Sequence, residues 1–210
     1  MQISAIIPVK TFSNAKTRLD INEEKKISIC KLMFEEVLQT LHVSNLIDQI
    51  VVVSKDEEAF QISKKFDPIQ IEDNETGVNN AVGLADDYVK KNGFDASIVF
   101  PQDIPFMKTQ DIDFLLQFQT PPKFSLIVPS RHFDGTNALV RMPVDLMKTH
   151  YDEDSYKIHL STGKSCTQNT SLVFVRRIMM DVDNMDDLKF SLAQDEKPNF
   201  SKKIMQILGS

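Results

Sequence analysis

Ile3-Ser4-Ala5-Ile6-Ile7-Pro8-Val9 runs directly into Lys10-Thr11-Phe12-Ser13-Asn14-Ala15-Lys16-Thr17-Arg18-Leu19, and this junction decides the fold. The first seven residues form an apolar run rich in β-branched side chains, which predicts a strand buried on both faces. The stretch after it is polar and places three cations, Lys10, Lys16 and Arg18, within nine residues. Apolar residues then recur at helical spacing: Ile29, Met33, Val37, Leu38 and Leu41. A buried strand, a charged loop and an amphipathic helix together open a βαβ unit.

The alternation continues outward. Ile50-Val51-Val52-Val53 reads as a second buried strand, with a helix expected over 56–65. Ile69-Gln70-Ile71 is a short third strand, and a helix over 79–91 stops near Asn92-Gly93. A fourth strand over 96–100 is stopped by Pro101, a helix follows over 109–118, and 125–129 is a fifth strand. Beyond Phe133 the pattern weakens. Strands are expected over 136–141 and 171–175, a short helix over 155–160 and a last one over 186–193. The expected architecture is one α/β domain over 1–210. It is Rossmann-like, a mostly parallel sheet flanked by helices, with added antiparallel strands in the last third.

Composition narrows the function classes. With 210 residues, 41% hydrophobic and 26% charged, the chain can bury a core without staples. It has no run of about 18 apolar residues that would predict a membrane span. Thirty acidic residues against 24 basic give a formal charge of −6, which argues against a nucleic-acid binder but not against a small anion. Cys30 and Cys166 make no framework or ligand spacing and read as reduced thiols. With no leader pattern at Met1-Gln2-Ile3-Ser4, a cytoplasmic location is expected. The amphipathic 29–41 segment and the apolar 204–208 segment leave a homodimer open, since either could pack internally or against a second subunit.

In open sheets ligands collect at the carboxyl ends of the strands, which selects the loops 10–19, 72–80 and 101–107. The first pairs two lysine point charges with an arginine fork, a combination suited to a polyphosphate. It contains no glycine, so it is neither a Walker loop nor a dinucleotide fingerprint, and a solvated charged loop is the plainer alternative. In Pro101-Gln102-Asp103-Ile104-Pro105 a carboxylate sits between two stiffening prolines just past a strand, suited to a hard divalent cation or to capping the turn. In Asp181-Val182-Asp183-Asn184-Met185-Asp186-Asp187, only one of Asp181 and Asp183 is expected to enter a site. Asp186 and Asp187 suit a helix start. Gly135-Thr136-Asn137 offers a hydroxyl and an amide for a small carboxylate or phosphate, or simply a turn. The 72–80 stretch, with Gly77 and Asn79, reads as a turn with helix-start chemistry. His42, His132, His150 and His159 make no ligand spacing, and no nucleophile elbow is present.

Taken in order, these segments resemble the 2-phospho-L-lactate guanylyltransferase (CofC) family of coenzyme F-420 biosynthesis. The resemblance runs from Pro8-Val9-Lys10 and Ala15-Lys16-Thr17-Arg18-Leu19 through Gly77-Val78-Asn79, Asp103-Ile104-Pro105 and Gly135-Thr136-Asn137-Ala138-Leu139. It continues through Ser155 and His159 to Asp181-Val182-Asp183 and Asp186-Asp187-Leu188. It implies the fold of GT-A glycosyl- and nucleotidyltransferases. It also implies Mg²⁺-dependent transfer of GMP from GTP to 2-phospho-L-lactate, giving lactyl-2-diphospho-5′-guanosine and pyrophosphate, with phosphoenolpyruvate or 3-phosphoglycerate as acceptors in some relatives. By similarity Lys10, Lys16 and Arg18 hold the triphosphate, with Gly77 and Asn79 near the nucleoside. Asp103, Asp183 and Glu72 carry the metal, and Thr136, Asn137, Asp152 and Ser155 hold the acceptor. One departure stands out: Tyr151-Asp152-Glu153-Asp154-Ser155 has three acidic residues where the family often has glycines. The alternatives are another nucleotidyltransferase of this fold, acting on a sugar phosphate or molybdopterin, and a non-catalytic nucleotide-binding module. The first usually carries a glycine-rich opening loop that this chain lacks; the second would lose the acidic pair Asp103 and Asp183.

Overall fold

A computed structural model of the chain describes every residue except Thr17, Glu153 and Ser210. Seven strands form one sheet: β1 Ile3–Val9, β2 Gln49–Ser54, β3 Ile69–Glu72, β4 Ala96–Val99, β5 Phe124–Pro129, β6 Thr136–Met142 and β7 Thr170–Leu172. Their spatial order is β3-β2-β1-β4-β6-β5-β7. The first four pair in parallel, as Ile6 with Val51 and Ala5 with Ile98 show. β6 runs antiparallel to both its neighbours, β4 and β5, while β7 is parallel to β5. The departure from the parallel pattern is therefore confined to β6, which lies inside the sheet.

Among the described residues five α-helices connect strands, α1 Glu23–His42, α2 Glu57–Ser63, α3 Val78–Lys91, α4 Thr109–Leu116 and α5 Ser155–Cys166, and two follow β7, α6 Met185–Ala193 and α7 Pro198–Gly209. Their starts follow local chemistry. The Asn22 side chain caps α1 by accepting from the Lys25 N–H at 2.8 Å, and Glu23 and Glu24 complement its dipole. Asn184 caps α6 in the same way, with Asp186 and Asp187 in its first turn. α7 lies where the sequence shows only an apolar segment. Phe200 and Ile204, one turn apart, are buried in it, and Phe200 meets Phe106 edge-on at 5.3 Å. The 29–41 and 204–208 segments both pack inside the chain, on the same core.

The sheet separates two apolar layers. Ile3, Ala5, Ile7 and Val9 of β1 face a core shared with α1, α4, α6 and α7, whereas Ile6 faces α3 and α5. This is the period-2 pattern of a strand covered on both sides. On the second side β6 carries a buried Arg141, whose guanidinium binds Asp86 of α3 at 2.6 and 2.8 Å and the Ser97 hydroxyl at 3.0 Å. Burial pushes the Asp86 carboxyl up even so. The fork satisfies two buried groups at once and locks α3 to the sheet.

α5 approaches the sheet most closely at Gly163. A Cβ there would lie 2.6 Å from Ser125 Oγ and 2.8 Å from Thr170 Cγ2. Gly163→Ala improves helix propensity by about 1 kcal/mol, but overpacking a rigid sheet costs about 1–3 kcal/mol. The variant is expected to lower the urea midpoint. An unchanged or higher midpoint would show that α5 lifts off the sheet freely.

Candidate active site

β1 sits where the chain reverses its direction of growth across the sheet, with β2 on one side and β4 on the other. The crevice at the carboxyl ends of such strands is the place where open α/β sheets bind ligands. Here a cleft of about 480 Å³ opens, and its lining includes Lys10, Lys16, Arg18, Asp103, Thr136, Asn137, Asp152, Ser155 and Asp183. These residues, all expected from the sequence, thus meet in one place, carried by loops far apart in the chain.

The deepest part of the cleft is electrostatic. The Lys16 ammonium lies between Asp103 and Asp183 and forms ion pairs with both. Burial opposes its charge, but the two carboxylates outweigh that and hold it protonated above the ordinary lysine range. Lys16 reaches them from a left-handed backbone conformation, φ 51°. Lys10 and Arg18 also line the cleft, and neither has an ion pair among the described residues. They are the cations left available to a bound anion.

Asp181 is the residue that sequence reasoning sets aside. Asp181 and Asp183 both line the cleft, which corrects the expectation that only one would enter: side chains two residues apart on extended backbone point the same way. Burial, and then the nearby Asp103 charge, push the Asp181 carboxyl up to about 6. The Asn137 amide donates to Asp181 at 3.0 Å and to the Ile178 carbonyl at 3.0 Å. Asn137 therefore holds this acidic loop. Val182 N–H donates to the Asp103 carbonyl at 3.0 Å, fastening the two acidic loops to each other. The Asp187 carboxylate accepts from the Asp183 N–H at 3.2 Å and pairs with Arg131, so the acids that open α6 also support the site.

Two buried acceptors here, Asp103 Oδ1 and Gln102 Oε1, have no hydrogen-bond partner among the described residues. Among the described residues no three His, Cys, Asp or Glu side chains form a ready-made metal cage. The donor set fits Mg²⁺, which takes one or two carboxylates and completes its shell with water and substrate phosphates. Asp103, with a free buried oxygen, and Asp183 are the residues that would hold it. Glu72 is not at this site. β3 alternates half-buried and exposed residues, which turns Glu72 to solvent and away from the cleft lining.

At the other end of the cleft the proton positions follow from hydrogen-bond accounting. His150 N–H donates to His159 Nε2 at 2.8 Å, so a neutral His159 carries its proton on Nδ1 and donates it to Thr136 Oγ1 at 2.9 Å. Ser155 Oγ donates to the same oxygen at 3.0 Å. With two donors received, the Thr136 hydroxyl is left to donate elsewhere, and Thr136 lines the cleft. This arrangement suits an anionic oxygen. Beside it, Asn79 accepts from the Tyr151 N–H at 2.8 Å and donates to Asp152 at 3.4 Å. Asn79, expected near a nucleoside, thus fastens the 151–152 turn, and Gly77 lines a smaller adjoining pocket. Thr17 in the first loop and Glu153 in the acidic turn lie outside the described residues.

Known proteins share this chain's sequence and fold. Residues 3–206 match the family model described as "Guanylyl transferase CofC like". A phosphoenolpyruvate guanylyltransferase of Conexibacter woesei is 30% identical over 192 residues, 90% of this chain and 86% of that protein. A 2-phospho-L-lactate guanylyltransferase of Methanobrevibacter smithii is 28% identical over 189 residues, 89% of this chain and 82% of that protein. Among solved structures, one provisionally described as a nucleotide-diphospho-sugar transferase, from Desulfovibrio desulfuricans G20, aligns with a TM-score of 0.77 at 15% identity. It covers 98% of this chain and 95% of that one. A cytidylyltransferase from Leptospira borgpetersenii aligns with a TM-score of 0.63 at 12% identity, over 100% and 94%. These structural matches identify the fold as that of nucleotidyltransferases.

Burial, then the His150 and Arg141 charges, lower His159 to about 3 from an ordinary 6.5. Because the folded value is depressed, the stability it contributes is complete above pH 6.5 and is lost as pH falls toward 3. The loss below pH 6.5 runs at about 1.4 kcal/mol per unit. His159→Gln removes this slope. The stability gap between the natural chain and the variant, read by urea denaturation, should narrow by about 2 kcal/mol from pH 7 to pH 5. A gap that stays constant would mean that His159 protonates freely in the fold.

Proposed function

The chain belongs to the CofC-like guanylyltransferase family, and from that premise we propose that it transfers GMP from GTP to a three-carbon phospho-acid, releasing pyrophosphate. The acceptor would be 2-phospho-L-lactate or the closely similar phosphoenolpyruvate, in the assembly of coenzyme F-420. One observation carries the reading. A cation-bearing phosphate loop, an acidic pair with a free buried oxygen, and an outward-donating Thr136 hydroxyl converge on one cleft.

The chemistry needs no general base, because a phosphate-monoester oxygen is already ionised at pH 7. The difficulty is bringing one anion to the α-phosphorus of another, which is a matter of charge and position. Lys10 and Arg18 would neutralise the β- and γ-phosphates as pyrophosphate leaves. Thr136 would donate to the acceptor, and Ser155 and the backbone of the 151–152 turn would orient it. Lys16 keeps Asp103 and Asp183 together, and its flexible stem lets the same ammonium serve a phosphate. Mg²⁺, held by Asp103 and Asp183, would supply the remaining charge neutralisation at the phosphate oxygens.

Purified protein with GTP and Mg²⁺ should release pyrophosphate only when a phospho-acid is added. A panel of 2-phospho-L-lactate, phosphoenolpyruvate and 3-phosphoglycerate, scored by product mass, identifies the acceptor. Pyrophosphate release indifferent to all three would overturn the reading. Asp103→Asn should reduce turnover at least ~10²-fold, a loss typical of one preorganised electrostatic group, with an unchanged far-UV spectrum. A full rate at saturating Mg²⁺ would remove Asp103 from the metal site.

A further inference from the structure

A second, smaller pocket adjoins the cleft and shares Pro8, Lys10 and Val78 with it. Its walls are apolar at Pro8, Val78 and Ala81, and its polar side chains are Lys10, Asp73 and Glu75. Glu75 is already engaged, accepting from the Thr11 N–H at 2.7 Å. Asp73 is not. Its side chain belongs to a residue only 7% exposed, and Oδ1 is buried without a hydrogen-bond partner. The Asp73 N–H donates to the Ser54 carbonyl at 3.1 Å and extends the β2–β3 pairing past Glu72, which fixes the backbone that carries the side chain.

A buried acceptor atom left without a donor costs on the order of 1–3 kcal/mol, and such an atom in a fold calls for an explanation. The pocket's position supplies one. It lies beside the loop whose cations would hold a triphosphate, and its apolar walls at Pro8, Val78 and Ala81 suit the faces of a flat heterocycle. We propose that this pocket seats the purine of the nucleotide substrate and that Asp73 selects guanine, its two oxygens accepting from N1–H and the 2-amino group.

Only guanine meets that requirement among the common bases. It presents two adjacent donors on one edge, which a carboxylate accepts as it accepts the parallel N–H pair of arginine. The corresponding edges of adenine and cytosine place a lone pair beside their amino group, and that lone pair would face a carboxylate oxygen. Uracil offers a single N–H between two carbonyls. Repulsion and an unpaired buried group therefore act together against the wrong bases. The Glu75 contact with Thr11 joins this pocket to the phosphate loop, so base and phosphates are held on one connected frame.

The inference rests on the guanylyltransferase reading, and the two are separable. The ranking of GTP, ATP, CTP and UTP with the natural chain tests that reading: preference for another nucleotide overturns it. The assignment of Asp73 is tested by inosine and xanthosine triphosphates. The natural chain should use ITP, which lacks the 2-amino group, at least about tenfold less efficiently than GTP in kcat/KM. Asp73→Asn should lose at least about 100-fold with GTP and prefer XTP, whose C2 carbonyl accepts from the amide. The Asp73 side chain has no protein donor to lose at Oδ1, so the variant should keep its urea midpoint. Equal use of GTP and ITP by the natural chain, or an Asp73→Asn variant that keeps the natural order of GTP over XTP, would overturn the assignment.

Discussion

Three carboxylates, Asp103, Asp181 and Asp183, are crowded into the wall of one cleft, and the local structure is organised around making that tolerable. Burial, with the Asp103 charge added to it, already pushes Asp181 up to about 6. Lys16 is the counter-charge, bound to Asp103 and Asp183 together. Its left-handed backbone is a strained conformation for a lysine, and strain of this kind persists only where the surroundings hold it. The backbone bond from Val182 to Asp103 and the amide of Asn137 then fix the acidic loops to each other and to β6. The result is a preorganised concentration of negative charge, which is what a divalent cation with a phosphate ligand requires.

The topology explains how the groups proposed to bind the acceptor reach this point. β1 and β4 end at the crevice because parallel strands all point their carboxyl ends one way. A further parallel strand in the position of β6 would bring its own carboxyl end there. β6 instead runs the other way, so its first residues, Thr136 and Asn137, lie at the edge that carries the cleft. Reversal of one internal strand thus places a hydroxyl and an amide in the same cleft as Lys10, Lys16 and Arg18, and α5 adds Ser155 and His159 behind them.

The fold is legible in the sequence where side-chain periodicity is strong. The run Ile3–Val9 and the Val-rich β2 announce strands covered on both faces, and every major helix before residue 120 follows from spacing and caps. α7 is legible only when the window reaches back to Phe200: Phe200, Ile204, Ile207 and Leu208 then fall at i, i+4, i+7 and i+8, the spacing of one helix face, whereas 204–208 alone shows just an apolar run. The site residues on rigid strand ends, Asp103 and Thr136, can be located from the sequence. Asp181 can be located too, because residues two apart on extended backbone share a face and its partner Asp183 is already a candidate. Asp73 cannot. Asp73 is hidden behind its neighbour Glu72, since one residue on an edge strand decides which acid points outward and which is buried. His159 gives no signal because its role is to orient another side chain, and a hydrogen-bond partner 23 residues away leaves no spacing to read.

The formal charge of −6 also acquires a meaning only in three dimensions. A net acidic chain repels polyanions at long range, yet screening confines that field to about 8–10 Å at physiological salt. Inside the cleft the local balance governs. Lys10 and Arg18 form no ion pair among the described residues, Lys16 is shared between two acids, and the neutral His159 spends its one proton on Thr136. A histidine that protonated near neutral pH would be a candidate acid or base. This one is held neutral by burial, and a reaction whose nucleophile is already ionised has no use for a base. The same burial that removes His159 from proton transfer makes it a fixed donor. The donor direction of Thr136 is then set before any substrate arrives, and that is the property a site needs when it must bring two anions into contact.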